Sequence, residues 1–149
     1  MYAKSLPAGD PSKPEPNRSS VSQHAIQMPA FESFQDADSY YVTLAHESTH
    51  WTGSKTRLDR DFGGHRFGSE GYAVEELVAE LGAAFLCADL ELALEPREDN
   101  ASYIAAWLKV LAADNRAVFT AAAHAQRAAE FMNRTATNDA AQVNTASAA

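Results

Sequence analysis

A chain of 149 residues with 46% hydrophobic content is sized for a single domain with its own core. Its 12 Lys and Arg against 20 Asp and Glu leave a formal net charge of −8, which argues against a basic surface that tracks a nucleic-acid backbone. One cysteine allows no internal disulfide, and no run approaches the ~18 apolar residues of a membrane span or the apolar segment of a signal peptide. The cytoplasm is therefore the expected location, with no membrane partner.

Residues 1–20, rich in Pro, Ser and charge, read as a disordered tail, and the folded domain is expected over 21–133. Ala25-Ile26-Gln27-Met28 is a short strand candidate ended by Pro29, placed where its edge could pair with an extended peptide. A helix follows from about Tyr40 to Thr52, with Ser39 as its expected N-cap and Gly53 as its stop. It carries the run His46-Glu47-Ser48-Thr49-His50.

On a helix, two residues four apart are separated by about 400°, so both imidazoles leave one face and can share one ion, expected to be Zn2+. Glu47 lies roughly 100° round from His46, within reach of a water on that ion and outside its ligand set, the place for a general base. A catalytic zinc takes about three protein ligands and keeps one position open, so a third ligand is required. The extended H-E-x-x-H-x-x-G-x-x-H metzincin pattern would put a third histidine at position 56, which is Thr56, so that variant is rejected. His65, in a glycine-rich loop, is a weaker third-ligand candidate and a stronger candidate to line the cleft. Arg57, Arg60 and Arg66 in the same connection read as a solvated loop.

The next helix is expected over Tyr72 to Leu90, with Val74, Leu77, Val78, Leu81 and Phe85 facing the core. Ala73, Glu76, Glu80, Ala83 and Cys87 form a second line, in which two carboxylates are bracketed by small side chains that admit another helix. Glu76 is therefore the expected third ligand, with Glu80 orienting a histidine through its free ring N–H, although the two roles can be exchanged. Glu75 points off this line and Glu70 precedes the helix, so both rank lower. Two more helices are expected, Ala101 to Ala113 with Ile104, Trp107, Leu108 and Leu111 inward, and Asp114 to Asn133 with Val118, Phe119, Ala122 and Phe131 inward. His124 on the last one and Tyr72 join His65 as candidates for the cleft, and residues 134–149 read as a second disordered tail.

Four blocks now carry a resemblance: Ile26-Gln27-Met28-Pro29; Tyr40-Tyr41 with His46 to Gly53; Tyr72 to Gly82; and Tyr103-Ile104-Ala105-Ala106-Trp107-Leu108 followed by Ala121 to Gln126. The stretch from about Ile26 to Phe131 resembles the C-terminal zincin-like metallopeptidase domain of ArdC-type antirestriction proteins of mobile elements. The resemblance implies a gluzincin-like α+β fold, mostly α, with a small β element and four main helices. It also implies two helix histidines, a catalytic Glu and a glutamate from the following helix. Family members carry an N-terminal domain that binds single-stranded DNA, which nothing in this sequence matches, so no nucleic-acid binding is expected of this chain alone. The expected function is that of a zinc metallopeptidase acting on a protein or peptide through metal-activated water, with Glu47 as general base. The alternative is a non-catalytic, acidic, metal-stabilised module that blocks a restriction or host protein.

Overall fold

The protein, described by a computed structural model over residues 20–21, 25–63, 69–92 and 100–146, is built around one helix that the others surround. A minimal ribbon leads in: β1 (Ser20–Val21) pairs antiparallel with β2 (Ile26–Gln27), Ser20 opposite Gln27 and Val21 opposite Ile26, and both strands lie on α1 (Ala37–Thr52). Then come α2 (Glu70–Asp89), α3 (Asn100–Ala113) and α4 (Ala117–Ala146). This is the expected mostly α architecture with a small β element and four helices. Among the described residues no helix is long and apolar enough to cross a membrane. His65 and Arg66, the residues before Ser20, and the side chain of Ile104 lie outside the described residues.

The helix starts differ from expectation for a local reason. The cap of α1 is Asp36, whose side chain accepts from Ser39 N at 2.7 Å, so Ser39 is inside the helix and supplies the N–H that the cap satisfies. In α2 the cap is Ser69, accepting from Tyr72 N at 3.2 Å, and Glu70 is the first helical residue rather than one before the helix. At the other end of α1, Gly53 adopts ordinary right-handed geometry and its N–H bonds His50 O at 2.9 Å. Its lack of a side chain serves space instead, because a Cβ there would come within 2.8 Å of Arg60 Nη2.

α2 packs against α1, α3 and α4. On the α1 side, Ala73, Ala83 and Cys87 are buried as the small-residue line requires, and Gly82 approaches Thr49 so closely that an added Cβ would lie 2.5 Å from its Cγ2. Val42 and Ala45 of α1 join Ala83, Leu86, Cys87 and Ala129 in one cluster, while Val78 meets Ala121 and Ala125 in another. Two expected core positions are corrected: Leu108 and Phe119 are 62% and 74% exposed. The buried face of α4 is Ala121, Ala125, Ala128 and Ala129, small residues at helical spacing that let α4 lie close on α2. The expected stop at Asn133 is passed as well. α4 runs on to Ala146, and in its exposed part over 133–138 Thr135 and Thr137 turn their hydroxyls back onto the carbonyls of Phe131 and Asn133.

Candidate metal centre

Four turns of α1 and α2 bring the expected residues together. His46 and His50 are successive positions on one face of α1, and their Nε2 atoms approach to 3.2 Å. The Glu76 carboxylate from α2 reaches both, Oε2 lying 3.6 Å from His46 Nε2 and Oε1 3.6 Å from His50 Nε2. On the far side of each ring stands another carboxylate of α2, with Glu80 Oε1 3.2 Å from His46 Nδ1 and Glu75 Oε1 3.0 Å from His50 Nδ1. As α1 advances from His46 to His50, its partners on α2 move back from Glu80 to Glu75, so the helices run antiparallel here.

Glu75 and Arg60 are what the sequence reading missed. Glu75, ranked low, takes the orienting place on His50, and Glu80 takes the same place on His46. Arg60, expected in a solvated loop, is buried. Its Nε and Nη2 fork onto the two oxygens of Glu75 at 2.7 Å each, Nη2 also donates to Thr49 O at 2.9 Å, and Nη1 donates to Thr52 Oγ1 at 3.2 Å. The turns after α1 return the chain for this purpose, with Leu58 N on Thr52 O and Arg60 N on Gly53 O, both 3.0 Å. Arg57 is half-buried too, its guanidinium 3.6 Å over the Trp51 ring and its Nε donating to Trp51 O at 2.7 Å. No pattern in the sequence marked Arg60, and the role of Gly53 in leaving room for its guanidinium shows only in the structure.

The electrostatics are those of a site made for a cation. A ring whose Nδ1–H donates to a carboxylate presents its Nε2 as a lone pair. His50 has that partner in Glu75, and the Glu80 carboxylate lies 3.2 Å from His46 Nδ1, so with both rings unprotonated two ring nitrogens and an anionic oxygen converge, an arrangement that repels unless positive charge lies among them. Burial alone would lower the pKa of His50, but hydrogen bonds to Glu75 and Glu76 and the charges of both outweigh it and push it up to about 9. Burial would raise the pKa of Glu76, yet hydrogen bonds from His46 and His50, the charge of His50 and a hydrogen bond from Tyr72 hold it well below the usual carboxylate range. Glu75 is likewise lowered against its burial, by Arg60 and His50.

The donor set fits a metal ion. At metal–nitrogen distances of roughly 2.0–2.1 Å, tetrahedral geometry sets two imidazole nitrogens about 3.3 Å apart, close to the observed 3.2 Å. Ligand atoms of His46, His50 and Glu76 all lie within 4.8 Å of one another, the one such group among the described residues. Glu47, next to His46 on α1, is buried at 9% exposure. Of the cleft candidates, Tyr72 reaches Glu76, whereas His124 sits edge-on to Phe62 with ring centroids 5.0 Å apart. Burial, followed by the charges of Arg127 and Arg60, lowers the His124 pKa from its ordinary value. His65 lies outside the described residues.

Comparison with known proteins bears on the fold and on a divalent metal. The chain is 54% identical over 108 residues to the uncharacterised protein y4eC of Sinorhizobium fredii, covering 72% of the chain and 35% of that protein. It is 43% identical over 111 residues to a DNA primase TraC of Escherichia coli, covering 74% of the chain and 10% of the primase. Among solved structures, the plasmid antirestriction protein ArdC in its Mn(II)-bound form superposes with a TM-score of 0.72 at 42% identity, over 81% of this chain and 45% of that one. The metal-free form gives 0.70. The chain thus spans about a third of y4eC, a tenth of the primase and less than half of ArdC. The family and the Mn(II)-bound relative imply a divalent metal. Residues 18–124 match the model of the zincin-like metallopeptidases, and the chain belongs to that family.

Proposed function

We propose that this chain is a zinc-dependent peptidase module in which His46, His50 and Glu76 hold the ion, Glu47 moves the proton, and Glu80 and Glu75 aim the two imidazoles. The observation that carries the reading is the 3.2 Å approach of two Nε2 atoms beside a carboxylate, with each Nδ1 turned to its own acid. When bound, the ion supplies Lewis acidity that makes water a nucleophile near neutral pH and polarises the scissile carbonyl. Glu47 takes a proton from the attacking water on one carboxylate oxygen and hands it to the departing amine nitrogen, ending the cycle ionised as it began. The edge of β2 offers an extended peptide a partner for its backbone.

The same segment occurs within a protein named a primase and one named an antirestriction protein, which supports a separable module whose chemistry is its own. We take its setting to be antirestriction-like and cytoplasmic, and its substrate to be a protein or peptide. Glu47→Gln tests the mechanism on a mixed-sequence fluorogenic peptide library, with bound metal measured alongside. Cleavage by the wild type that disappears in Glu47→Gln at unchanged metal content supports it. Equal cleavage by both proteins overturns it. A metal-loaded wild type that cleaves nothing favours the other reading, an acidic metal-stabilised binding module, which the net charge of −8 also suits.

A further inference from the structure

We infer that Arg60 is a positioning residue for the metal centre, acting through Glu75 to fix the direction in which His50 presents Nε2. The inference rests on the reading of His50 as a ligand. An imidazole on a helix can turn about its side-chain bonds, so a ligand histidine needs a fixed acceptor on its other nitrogen. Glu75 is that acceptor at 3.0 Å, but a glutamate is itself a flexible arm at 24% side-chain exposure. The guanidinium fork removes that freedom, because two parallel hydrogen bonds of 2.7 Å set both the place and the plane of the carboxylate.

Arg60 is in turn held from the α1 side, through Thr49 O and Thr52 Oγ1, so a single side chain ties the turn that carries His50 to the carboxylate that aims it. The surrounding chain is shaped to this end. Asp59 takes the left-handed backbone at φ 46, reversing direction just before Arg60, and Gly53 leaves the space that the guanidinium tip fills. A cation serving only to neutralise Glu75 would need neither the fork nor the two α1 contacts.

The test measures binding of Zn2+ alone by competition with a chromophoric chelator, and the visible absorption of the Co2+-loaded protein as a signature of ligand geometry. The proteins are wild type, Arg60→Lys, Glu75→Gln and the double variant. Arg60→Lys keeps the charge and loses the fork, so affinity is expected to fall about 10- to 100-fold with an altered Co2+ spectrum. The double variant is expected to bind no more weakly than Glu75→Gln, since both changes break one chain of contacts. Wild-type affinity and spectrum in a folded Arg60→Lys of lowered Tm, or losses that multiply in the double variant, would overturn the inference while leaving the ligand set intact. A wild type that binds no divalent metal would remove the ligand set and this inference together. If Arg60→Lys does not fold, Thr52→Val removes one guanidinium contact without changing charge. About threefold weaker binding then supports the inference, and unchanged binding overturns it.

Discussion

α1 and α2 approach closely at Gly82, and Gly82→Ala sets two physical effects against each other. Inside a helix, alanine is favoured over glycine by about 1 kcal/mol. Against that, the new Cβ would lie 2.5 Å from Thr49 Cγ2 and 2.6 Å from its Oγ1, about 1 Å inside van der Waals contact. Thr49 has nowhere to go, being fully buried with its hydroxyl on Ala45 O at 2.9 Å. Overpacking of this kind costs about 1–3 kcal/mol, and the fixed partner places it at the upper end, so the net destabilisation is about 2 kcal/mol. For a domain of this size that lowers Tm by about 8 °C in a thermal unfolding experiment. Thr49→Ala removes the two nearest atoms, so the double variant should recover most of the loss. The 3.6 Å spacings between Glu76 and the histidines bridge the same two helices, and metal affinity should fall and recover in step. A Gly82→Ala protein more stable than wild type, as helix propensity alone demands, or one not rescued by Thr49→Ala, would refute the close-packing account.

The charge state of the site gives two further expectations. With a His50 pKa of about 9 against 6.5 in the unfolded chain, metal must displace one proton below that value. Affinity for Zn2+ should therefore rise about tenfold per pH unit from roughly 6.5 to 9 and then level off, and a flat profile in chelator competition would contradict this. For the metal-free protein the sign is opposite. A raised histidine pKa stabilises fully below pH 6.5 and is lost as pH rises through about 9, on the order of 3 kcal/mol in urea unfolding. The lowered pKa values of Glu75 and Glu76 act in a separate window, their stabilisation being lost only below about pH 4.5. Metal-free stability that climbs between pH 7 and 9 would exclude a protonated His50.

What the sequence disclosed well were features set by helical repeat. The i, i+4 spacing put His46 and His50 on one face, and the alternation of small residues with Glu76 and Glu80 marked the side of α2 that α1 covers. Glu75 escaped because one stripe was taken as the whole contact, whereas each imidazole has two nitrogens and the antiparallel crossing supplies each with its own acid. Arg60 escaped because a charged loop looks solvated until the buried carboxylate it serves is known. Leu108 and Phe119 misled for another reason. On α4 the large Phe119 was given the inward face, but that helix gains its contact with α2 from Ala121, Ala125 and Ala129, whose value lies in close approach rather than in side-chain area, while Leu108 on α3 turns to solvent. The end of α4 had no breaker to mark it, since no Gly or Pro follows Asn133.

The claim on which everything else rests is that His46, His50 and Glu76 bind one divalent ion while Glu80 supports the site from outside it. Equilibrium dialysis against Zn2+, with metal counted per chain, tests it most directly in wild type, Glu76→Ala and Glu80→Ala. The expected result is one ion per wild-type chain, loss of that ion in Glu76→Ala, and retention in Glu80→Ala with affinity weakened about 10- to 100-fold. No bound ion in the wild type, or an ion kept by Glu76→Ala and lost by Glu80→Ala, would contradict it.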